Sequence, residues 1–191
     1  MKILILNGSP KGKYSITLQI TRYLEKIYPD HSFEVLHVGQ KTKSLSNDFT
    51  PAREAIQRAD VLLFSYPVYT FLAPCQLHLF IELLKKEKMD LSGKYATQIT
   101  TSKHFYDVTA HRYIEDNCAD LGLKYIRGLS ADMDDLLTDK GQKEARDFFK
   151  SYAIIGRTFQ KRGAFYDRGI SQYLIPHADD VCLHGGWFCS Q

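Results

Sequence analysis

The sequence has few cysteines, no long apolar run and no strong excess of either charge. Its four cysteines form no Cys-x-x-Cys pair, which excludes a disulfide framework and fits the reducing cytoplasm. Cys75 and Cys118 lie in helical patterns typical of small core residues. No apolar segment approaches the roughly 20 residues that cross a bilayer, so we expect no membrane insertion. A net charge of +3 is too small to indicate nucleic acid as a partner.

Two familiar phosphate-binding motifs are also missing after the first predicted strand, residues 2–7. A Walker loop has four residues between its first glycine and the Gly-Lys pair, but only three separate Gly8 from Gly12. The dinucleotide pattern Gly-x-Gly-x-x-Gly is absent because Ser9, Pro10 and Lys11 follow Gly8. What remains is a loop suited to a single phosphate group.

That loop is rich in hydroxyl groups and leads into a predicted helix, residues 15–28. Ser9, Ser15 and Thr17 add hydroxyl donors, and Lys11 or Lys13 adds positive charge. The free N–H groups and the positive dipole end of a helix N-terminus also favour an anion. We therefore predict a monophosphate site. The alternative is an ordinary strand-to-helix turn in which a serine caps the helix.

Strand and helix patterns alternate along the chain as far as residue 160. Short apolar runs predict strands, and apolar residues spaced three and four apart predict helices. The polar stretch 41–48 is predicted to be a loop. Five parallel strands in the order 2-1-3-4-5, with helices on both faces, form a doubly wound α/β sheet. The strands are predicted at 2–7, 33–38, 61–66, 94–101 and 124–129, and the helices at 15–28, 51–58, from 74, 107–121 and from 138.

The loops after the third and fourth strands lie at the same edge of such a sheet as the first loop. Residues 67–74 carry Tyr69 and Phe71, which either contact a heterocyclic ligand or pack against the next helix. Residues 101–106 combine hydroxyl groups with a lysine, which suits a polyhydroxylated chain or a ring carbonyl. Otherwise this last loop is a solvated turn.

At these three loops the chain resembles the NAD(P)H-dependent FMN reductase and quinone reductase family of the flavodoxin-like superfamily. The family pattern Gly-Ser-Pro-Arg/Lys followed by Ser-Asn-Thr is matched by Gly8-Ser9-Pro10-Lys11 and Ser15-Ile16-Thr17. The family's Pro-hydrophobic-Tyr stretch, with a later proline that opens a helix, is matched by Pro67-Val68-Tyr69 and Pro74. The resemblance covers about residues 1–160 and implies the flavodoxin-like fold.

The resemblance implies FMN as bound cofactor, NADH or NADPH as electron donor, and a quinone, a flavin or a redox protein as acceptor. Because the flavin carries such chemistry, we expect no catalytic side chain. Tyr69, Phe71 and Phe105 would form an apolar rim suited to a homodimer. The expected cofactor-binding residues are Ser9, Lys11, Ser15, Ile16, Thr17, Pro67, Val68, Tyr69, Thr70, Phe71, Thr101, Ser102 and Lys103.

The chain departs from the family pattern at two places. Ile16 replaces the usual asparagine, and Lys103-His104 replaces the Ser-Gly-Gly that often follows the fourth strand. The iron–sulfur branch of the family carries a compact cysteine cluster after the second strand. Residues 31–60 contain no cysteine, so we expect no such cluster.

Three alternatives to a reductase deserve comparison. A flavodoxin-type electron carrier is disfavoured by the net charge of +3, because such carriers tend to be strongly acidic. A receiver-type signalling domain needs carboxylates at its strand ends to bind magnesium, and Asn7-Gly8-Ser9 supplies none. A scaffold that has lost its cofactor is compatible with Ile16 and Lys103.

The predicted domain spans residues 1–163, and residues 164–191 form a C-terminal tail. The tail is rich in aromatic residues, which favours packing on the domain or on a partner subunit over a free terminus. Cys182, His184 and Cys189 lack the close cysteine pair of common zinc sites, so we expect no metal. The tail is also compatible with a chain that is one module of a longer protein.

Overall fold

A parallel sheet covered by helices on both faces forms the body of the protein. The computed structural model describes residues 1–102 and 106–161. The chain divides into two compact units, residues 1–152 and 153–191, and the sheet lies in the first. The strands are β1 Lys2–Asn7, β2 Ser32–Leu36, β3 Val61–Pro67, β4 Tyr95–Thr101, β5 Lys124–Tyr125 and β6 Leu129–Ala131. The helices are α1 Ile16–Ile27, α2 Val38–Asn47, α3 Thr50–Arg58, α4 Cys75–Lys86, α5 Val108–Asp120 and α6 Asp139–Lys161.

The order of the strands is β2-β1-β3-β4-β5, which confirms the predicted topology. Each pair of strands that the structure describes is parallel. The register places Asn7 of β1 beside Ser65 of β3, and Pro67 of β3 beside Thr101 of β4. The carboxyl ends of β1, β3 and β4 therefore meet at one edge of the sheet.

Two apolar layers hold the helices on the sheet. Leu4, Leu62 and Phe64 belong to a buried cluster that also includes the inward side chains of α2, α3, α4 and α5. On the opposite face α1 packs against β3 and β4. There the ring of Phe149 in α6 stacks on Tyr28 with 4.4 Å between the ring centroids. Removal of these apolar side chains from water is the main favourable term in the stability of the fold.

Apolar spacing predicts that residues 77, 80, 81 and 84 form the buried face of α4, which is confirmed. For α1 the same spacing predicts a face of Ile16, Ile20, Tyr23, Leu24 and Ile27, which was partly wrong. Leu77, Phe80, Ile81 and Leu84 of α4 are all buried. In α1, by contrast, Ile16 and Ile27 are exposed. The buried stripe of α1 passes instead through Thr17, Leu18, Ile20, Thr21 and Leu24. The polar members of that stripe hid it from a prediction based on apolar spacing.

The segment predicted to be a polar loop at 41–48 is mostly helix, and that prediction was wrong. Helix α2 runs from Val38 to Asn47 and buries few of its side chains, among them Val38 and Leu45. Thr42 Oγ1 donates a hydrogen bond to Val38 O at 3.0 Å, within the helix. Because so few side chains are buried, most positions tolerate lysine, serine or glutamine, and the apolar period is weak.

The fifth predicted strand, 124–129, is interrupted, so the prediction of one continuous strand was also wrong. Tyr125 of β5 pairs with Ala96, and Leu129 of β6 pairs with Ile99. Between these two pairs lie three residues, 126–128, opposite only two residues of β4, 97 and 98. This extra residue is a β-bulge. A Cβ at Gly128 would lie 2.3 Å from the Gln98 side chain, which requires a residue without a side chain.

The two cysteines of α4 and α5 differ in exposure. Cys118 is buried, as predicted, and burial raises its pKa to about 12. Cys75 is exposed, so the prediction of a core position was wrong for it. It lies at the first position of α4, ahead of the buried stripe that begins at Leu77. None of the helices within the described residues is long and apolar enough to span a membrane.

Candidate functional site

Three loops converge where the neighbouring strands β1, β3 and β4 end. They are the β1 loop (residues 8–15), the β3 loop (68–74) and the β4 loop, of which residues 102, 106 and 107 are described. Gly8 of the β1 loop donates its N–H to Ser65 O of β3 at 2.9 Å. A Cβ on Gly8 would lie 2.9 Å from the Leu77 side chain at the start of α4. The β1 loop is thus packed tightly between the sheet edge and α4.

The β1 loop is folded around the buried side chain of Asn7. Asn7 Oδ1 accepts the N–H of Ser9 at 3.1 Å, and Asn7 Nδ2 donates to Gly12 O at 2.9 Å. Ser9 Oγ accepts the N–H of Lys11 at 3.2 Å. Gly12 has a φ of +54°, a left-handed conformation that glycine adopts without strain. The loop is therefore held in one shape by its own hydrogen bonds.

Ser15 occupies the N-cap position of α1 but does not cap it. Its side chain makes no cap hydrogen bond, and its Oγ is buried without a partner among the described residues. The residue is only 2% exposed. The N–H groups in the first turn of a helix have no acceptor within that helix. A buried hydroxyl and several backbone donors thus converge at the start of α1, where the helix dipole favours negative charge.

Thr17 lies in the same first turn and is fully buried. Its Oγ1 lies 2.6 Å from Thr101 Oγ1, at the end of β4. Of two hydroxyls in contact only one donates to the other, so the second proton remains for another acceptor. This pair joins the first helix to the end of the fourth strand, which sequence spacing alone does not reveal.

The β3 loop contains a tight two-residue turn. Tyr69 and Leu72 exchange both backbone hydrogen bonds, at 2.9 and 3.0 Å. Between them Thr70 and Phe71 have φ values of +48° and +71°. Positive φ at both central positions is typical of a type I′ turn, but a β-branched threonine rarely adopts it. Backbone strain of this kind is often found at ligand clamps.

The side chains of this turn form an exposed apolar rim at the sheet edge. Tyr69, Phe71 and Leu72 are each 46% exposed. The ring of Phe71 lies against the exposed Tyr106, with 5.1 Å between the ring centroids. The rim therefore connects the β3 loop to the β4 loop.

The floor between the β3 and β4 loops continues the hydrogen bonding of the sheet. Val68 N–H donates to Thr101 O at 3.1 Å, and Ser102 N–H donates to Ala131 O at 2.9 Å. Pro67 and Thr101 are themselves paired in register. The sequence-predicted residue Lys103, together with His104 and Phe105, lies outside the described residues.

A buried polar cluster supports the β4 loop from below. Asp107 stands at the N-cap of α5, as predicted, but its carboxylate makes no cap hydrogen bond. Asp107 Oδ2 accepts from Thr100 Oγ1 at 3.0 Å and lies 3.4 Å from His111 Nε2. Burial alone would raise the pKa of Asp107, but hydrogen bonds, led by that of His111, outweigh burial and lower it. Asp107 therefore stays ionised.

The sequence predictions missed the residues that support the β1 loop from outside. His37 Nδ1 lies 3.0 Å from Asn7 Nδ2, and a Cβ on Gly39 would lie 2.5 Å from Ser9 O. Gln40 Nε2 donates to Pro10 O at 3.4 Å. The glycine just after a strand was the available signal, because it indicates a close backbone approach.

The predicted hydroxyl-bearing site residues of the β1 loop, α1 and β4 are buried. Ser15 and Thr17 lie at the start of α1, and Thr101 joins them through Thr17. Ser9 is buried in the β1 loop that precedes them. Ile16 is exposed beside them. The described residues contain no group of three or more His, Cys, Asp or Glu that could hold a metal ion. The tail residues Cys182, His184 and Cys189 lie outside the described part of the chain.

Comparisons with known proteins identify a family profile that matches the chain. The profile of the NADPH-dependent FMN reductase family matches residues 1–128. No curated protein sequence matches the chain.

Solved structures with the same fold include several flavoenzymes, all at low sequence identity. An apo NADH:FMN oxidoreductase superposes with a TM-score of 0.66 at 19% identity, covering 80% of this chain and 88% of that one. An NAD(P)H:quinone oxidoreductase from Methanothermobacter marburgensis gives 0.61 at 14% identity, covering 87% and 99%. An FMN-dependent NADH-azoreductase from Bacillus anthracis, in complex with FMN, gives 0.57 at 13% identity, covering 81% and 99%. The chain therefore belongs to the NADPH-dependent FMN reductase family, as an NAD(P)H-dependent oxidoreductase of flavodoxin-like fold with FMN as its cofactor.

Proposed function

We propose that the start of α1 holds the phosphate of FMN, and that bound FMN passes electrons from NADH or NADPH to a quinone, a second flavin or a protein acceptor. The observation that carries the phosphate assignment is the buried hydroxyl of Ser15, which has no partner among the described residues. A buried polar atom without a partner is costly, and a ligand that accepts a hydrogen bond from it removes that cost.

The donor set at this position fits a phosphate dianion. The hydroxyls of Ser15 and Thr17 lie at the start of α1, together with the N–H groups of its first turn, including that of Ile16. The buried hydroxyl of Ser9 belongs to the β1 loop that leads into this turn. Lys11 adds positive charge on the solvent side of the loop. No carboxylate lies within the loop, so nothing in residues 8–17 repels the anion.

The β3 and β4 loops are the proposed holders of the ring system and the ribityl chain. Pro67, Val68, Tyr69, Thr70 and Phe71 lie next to the end of β1, and the amides of Thr70 and Phe71 are not used by the Tyr69–Leu72 pair. Thr101 and Ser102 close the floor on the other side, and the sequence assigns Lys103 to the same loop.

Bound FMN supplies hydride acceptance from the nicotinamide and electron transfer to the acceptor. The contribution of the chain is to bind and orient the cofactor, and we assign no proton transfer to a side chain. A homodimer is part of the proposal, because Tyr69, Phe71 and Leu72 expose an apolar rim beside the site. The free thiols of Cys75 and Cys118 suit a cytoplasmic location.

Reconstitution with FMN tests the proposal. After incubation with excess FMN and desalting, the protein should retain close to one flavin per chain, measured by visible absorbance. Anaerobic NADH or NADPH should bleach that absorbance, and a small quinone should restore it over many turnovers. Loss of all colour on desalting would contradict the cofactor site. Bleaching by dithionite but by neither nicotinamide would favour an electron carrier instead.

A further inference from the structure

The outer side of the β1 loop is contacted by residues that the proposed cofactor site does not use. Asn7 is fully buried and makes three hydrogen bonds with its amide group. Two of them, to Ser9 N–H and to Gly12 O, span the β1 loop. The third joins Asn7 Nδ2 to His37 Nδ1, which lies thirty residues away in the sequence, at 3.0 Å. His37 is thus the link between the loop and the second strand.

His37 is itself fixed where β2 meets α2. Its carbonyl accepts the N–H groups of Gln40 at 3.2 Å and Lys41 at 3.1 Å, which begins the helix. The backbone at Gly39 lies so close to the loop that an added Cβ would be 2.5 Å from Ser9 O. The backbone at His37 is therefore held close to the β1 loop, within reach of Asn7.

The chemistry of the two side chains determines the protonation state of the contact. Because Asn7 Oδ1 accepts from Ser9, its Nδ2 is the group that faces the ring, and Nδ2 can only donate. His37 Nδ1 must therefore accept, so its proton lies on Nε2. A protonated ring also carries a proton on Nδ1, so two donors, His37 Nδ1 and Asn7 Nδ2, would face each other and the hydrogen bond would be lost.

We propose that Asn7 and His37 are positioning residues for the cofactor phosphate, and that they hold the β1 loop in its binding shape only while His37 is neutral. The proposal rests on the proposed phosphate site at the start of α1. A loop that is already in its bound shape loses less freedom on binding, so release of the contact should weaken FMN binding.

The charges around His37 favour the neutral ring. Burial lowers the pKa of His37 below its ordinary 6.5, and the positive charges of Lys41 in α2 and Arg22 in α1 lower it further. Asn7, on the β1 side, is uncharged. Protonation is therefore disfavoured at neutral pH, where the contact is intact.

Variants at the two ends of β2 test the proposal. His37→Gln keeps an acceptor that cannot be protonated, and His37→Leu removes the acceptor. His31→Gln is the matched control, because His31 precedes β2 at the opposite edge of the sheet. FMN and riboflavin dissociation constants are measured by flavin fluorescence at about pH 8 and at a lower pH at which nitrogen-15 NMR shows the His37 ring protonated, below the ordinary histidine pKa. Riboflavin lacks the phosphate and reports on the rest of the site.

Between these two pH values, the wild type and His31→Gln should lose roughly tenfold more FMN affinity than His37→Gln. The second protonation of the FMN phosphate, near pH 6, is common to all of them. Riboflavin binding should show no such difference. At about pH 8, His37→Leu should bind FMN roughly tenfold more weakly than His37→Gln. Equal pH profiles of wild type and His37→Gln would overturn the proposal.

A measurement on the apoprotein separates this proposal from the cofactor assignment. Nitrogen-15 NMR of the imidazole should show His37 with its proton on Nε2 at neutral pH. A proton on Nδ1, or a charged ring at neutral pH, would refute the proposed Asn7–His37 hydrogen bond whether or not FMN binds. If wild-type protein fails to bind FMN while the Nε2 tautomer is found, the phosphate assignment fails, and with it the proposed positioning role.

Discussion

Replacement of Ser15 by alanine separates a phosphate site from an ordinary helix cap. In the structure the Ser15 hydroxyl is buried and makes no cap hydrogen bond. A hydrogen bond to a charged group is worth about 1.5–3 kcal/mol, so Ser15→Ala should weaken FMN binding roughly 10- to 100-fold. In the apoprotein the same change removes an unsatisfied buried hydroxyl. The free energy of unfolding should therefore stay constant or rise by up to about 1 kcal/mol.

Two titrations on the same preparations check this pair of opposite effects. Quenching of flavin fluorescence gives the dissociation constant, and urea unfolding of the apoprotein gives the stability. Ser46→Ala is the control, because the Ser46 hydroxyl bonds within α2 to Thr42 O. If Ser15→Ala leaves FMN affinity unchanged and costs the apoprotein about 1 kcal/mol, then Ser15 is a conventional cap and the phosphate assignment fails.

Three further predictions follow from other contacts. Thr17→Val and Thr101→Val should each lower the free energy of unfolding of the apoprotein by about 1–2 kcal/mol, measured by urea unfolding. The double variant should lose less than the sum of the two single losses, and strict additivity would contradict the hydroxyl pair. Because the folded-state pKa of Asp107 is lowered, its stabilising contribution is complete above its ordinary pKa of about 3.9 and is lost as the pH falls through the lower folded value. Asp107→Asn should therefore flatten the acid limb of the stability profile, and an unchanged limb would refute this. Thr70→Asn should raise the free energy of unfolding by about 0.5–1 kcal/mol, and with it the melting temperature, because asparagine tolerates the left-handed conformation. A lower melting temperature would show that Thr70 is unstrained.

Strong local patterns explain which parts of the fold could be predicted. The continuous apolar runs of β1 and β3 and the periodic apolar stripe of α4 are clear local patterns, so the alternating order and the 2-1-3-4-5 topology followed from them. Helix α2 was missed because it buries only a few residues. The break between β5 and β6 depends on the close approach of Gly128 to Gln98, a contact between distant residues.

The candidate site shows the same division. The β1 loop could be predicted because its glycine, serines and lysine are adjacent in sequence. The contacts of Thr17 with Thr101 and of Asn7 with His37 join residues 84 and 30 positions apart, and neither leaves a local pattern. Polar side chains such as His37 and Asp107 acquire their roles only once the fold brings their partners together.

Beyond the ends of β3 and β4, some backbone amides continue the hydrogen bonding of the sheet and others in the adjoining turn do not. The N–H groups of Val68 and Ser102 are bonded to the neighbouring chain segments, so their exchange with deuterated solvent has to wait for an opening of the sheet. The Thr70 and Phe71 amides have no hydrogen bond to the described residues, so we expect them to exchange on the timescale of loop fluctuations. Amide exchange is therefore expected to be slow at Val68 and Ser102 and fast at Thr70 and Phe71. Substitutions in the turn at residues 70 and 71 can then alter the contacts it offers to a ligand without disturbing the hydrogen bonds of the sheet beneath it.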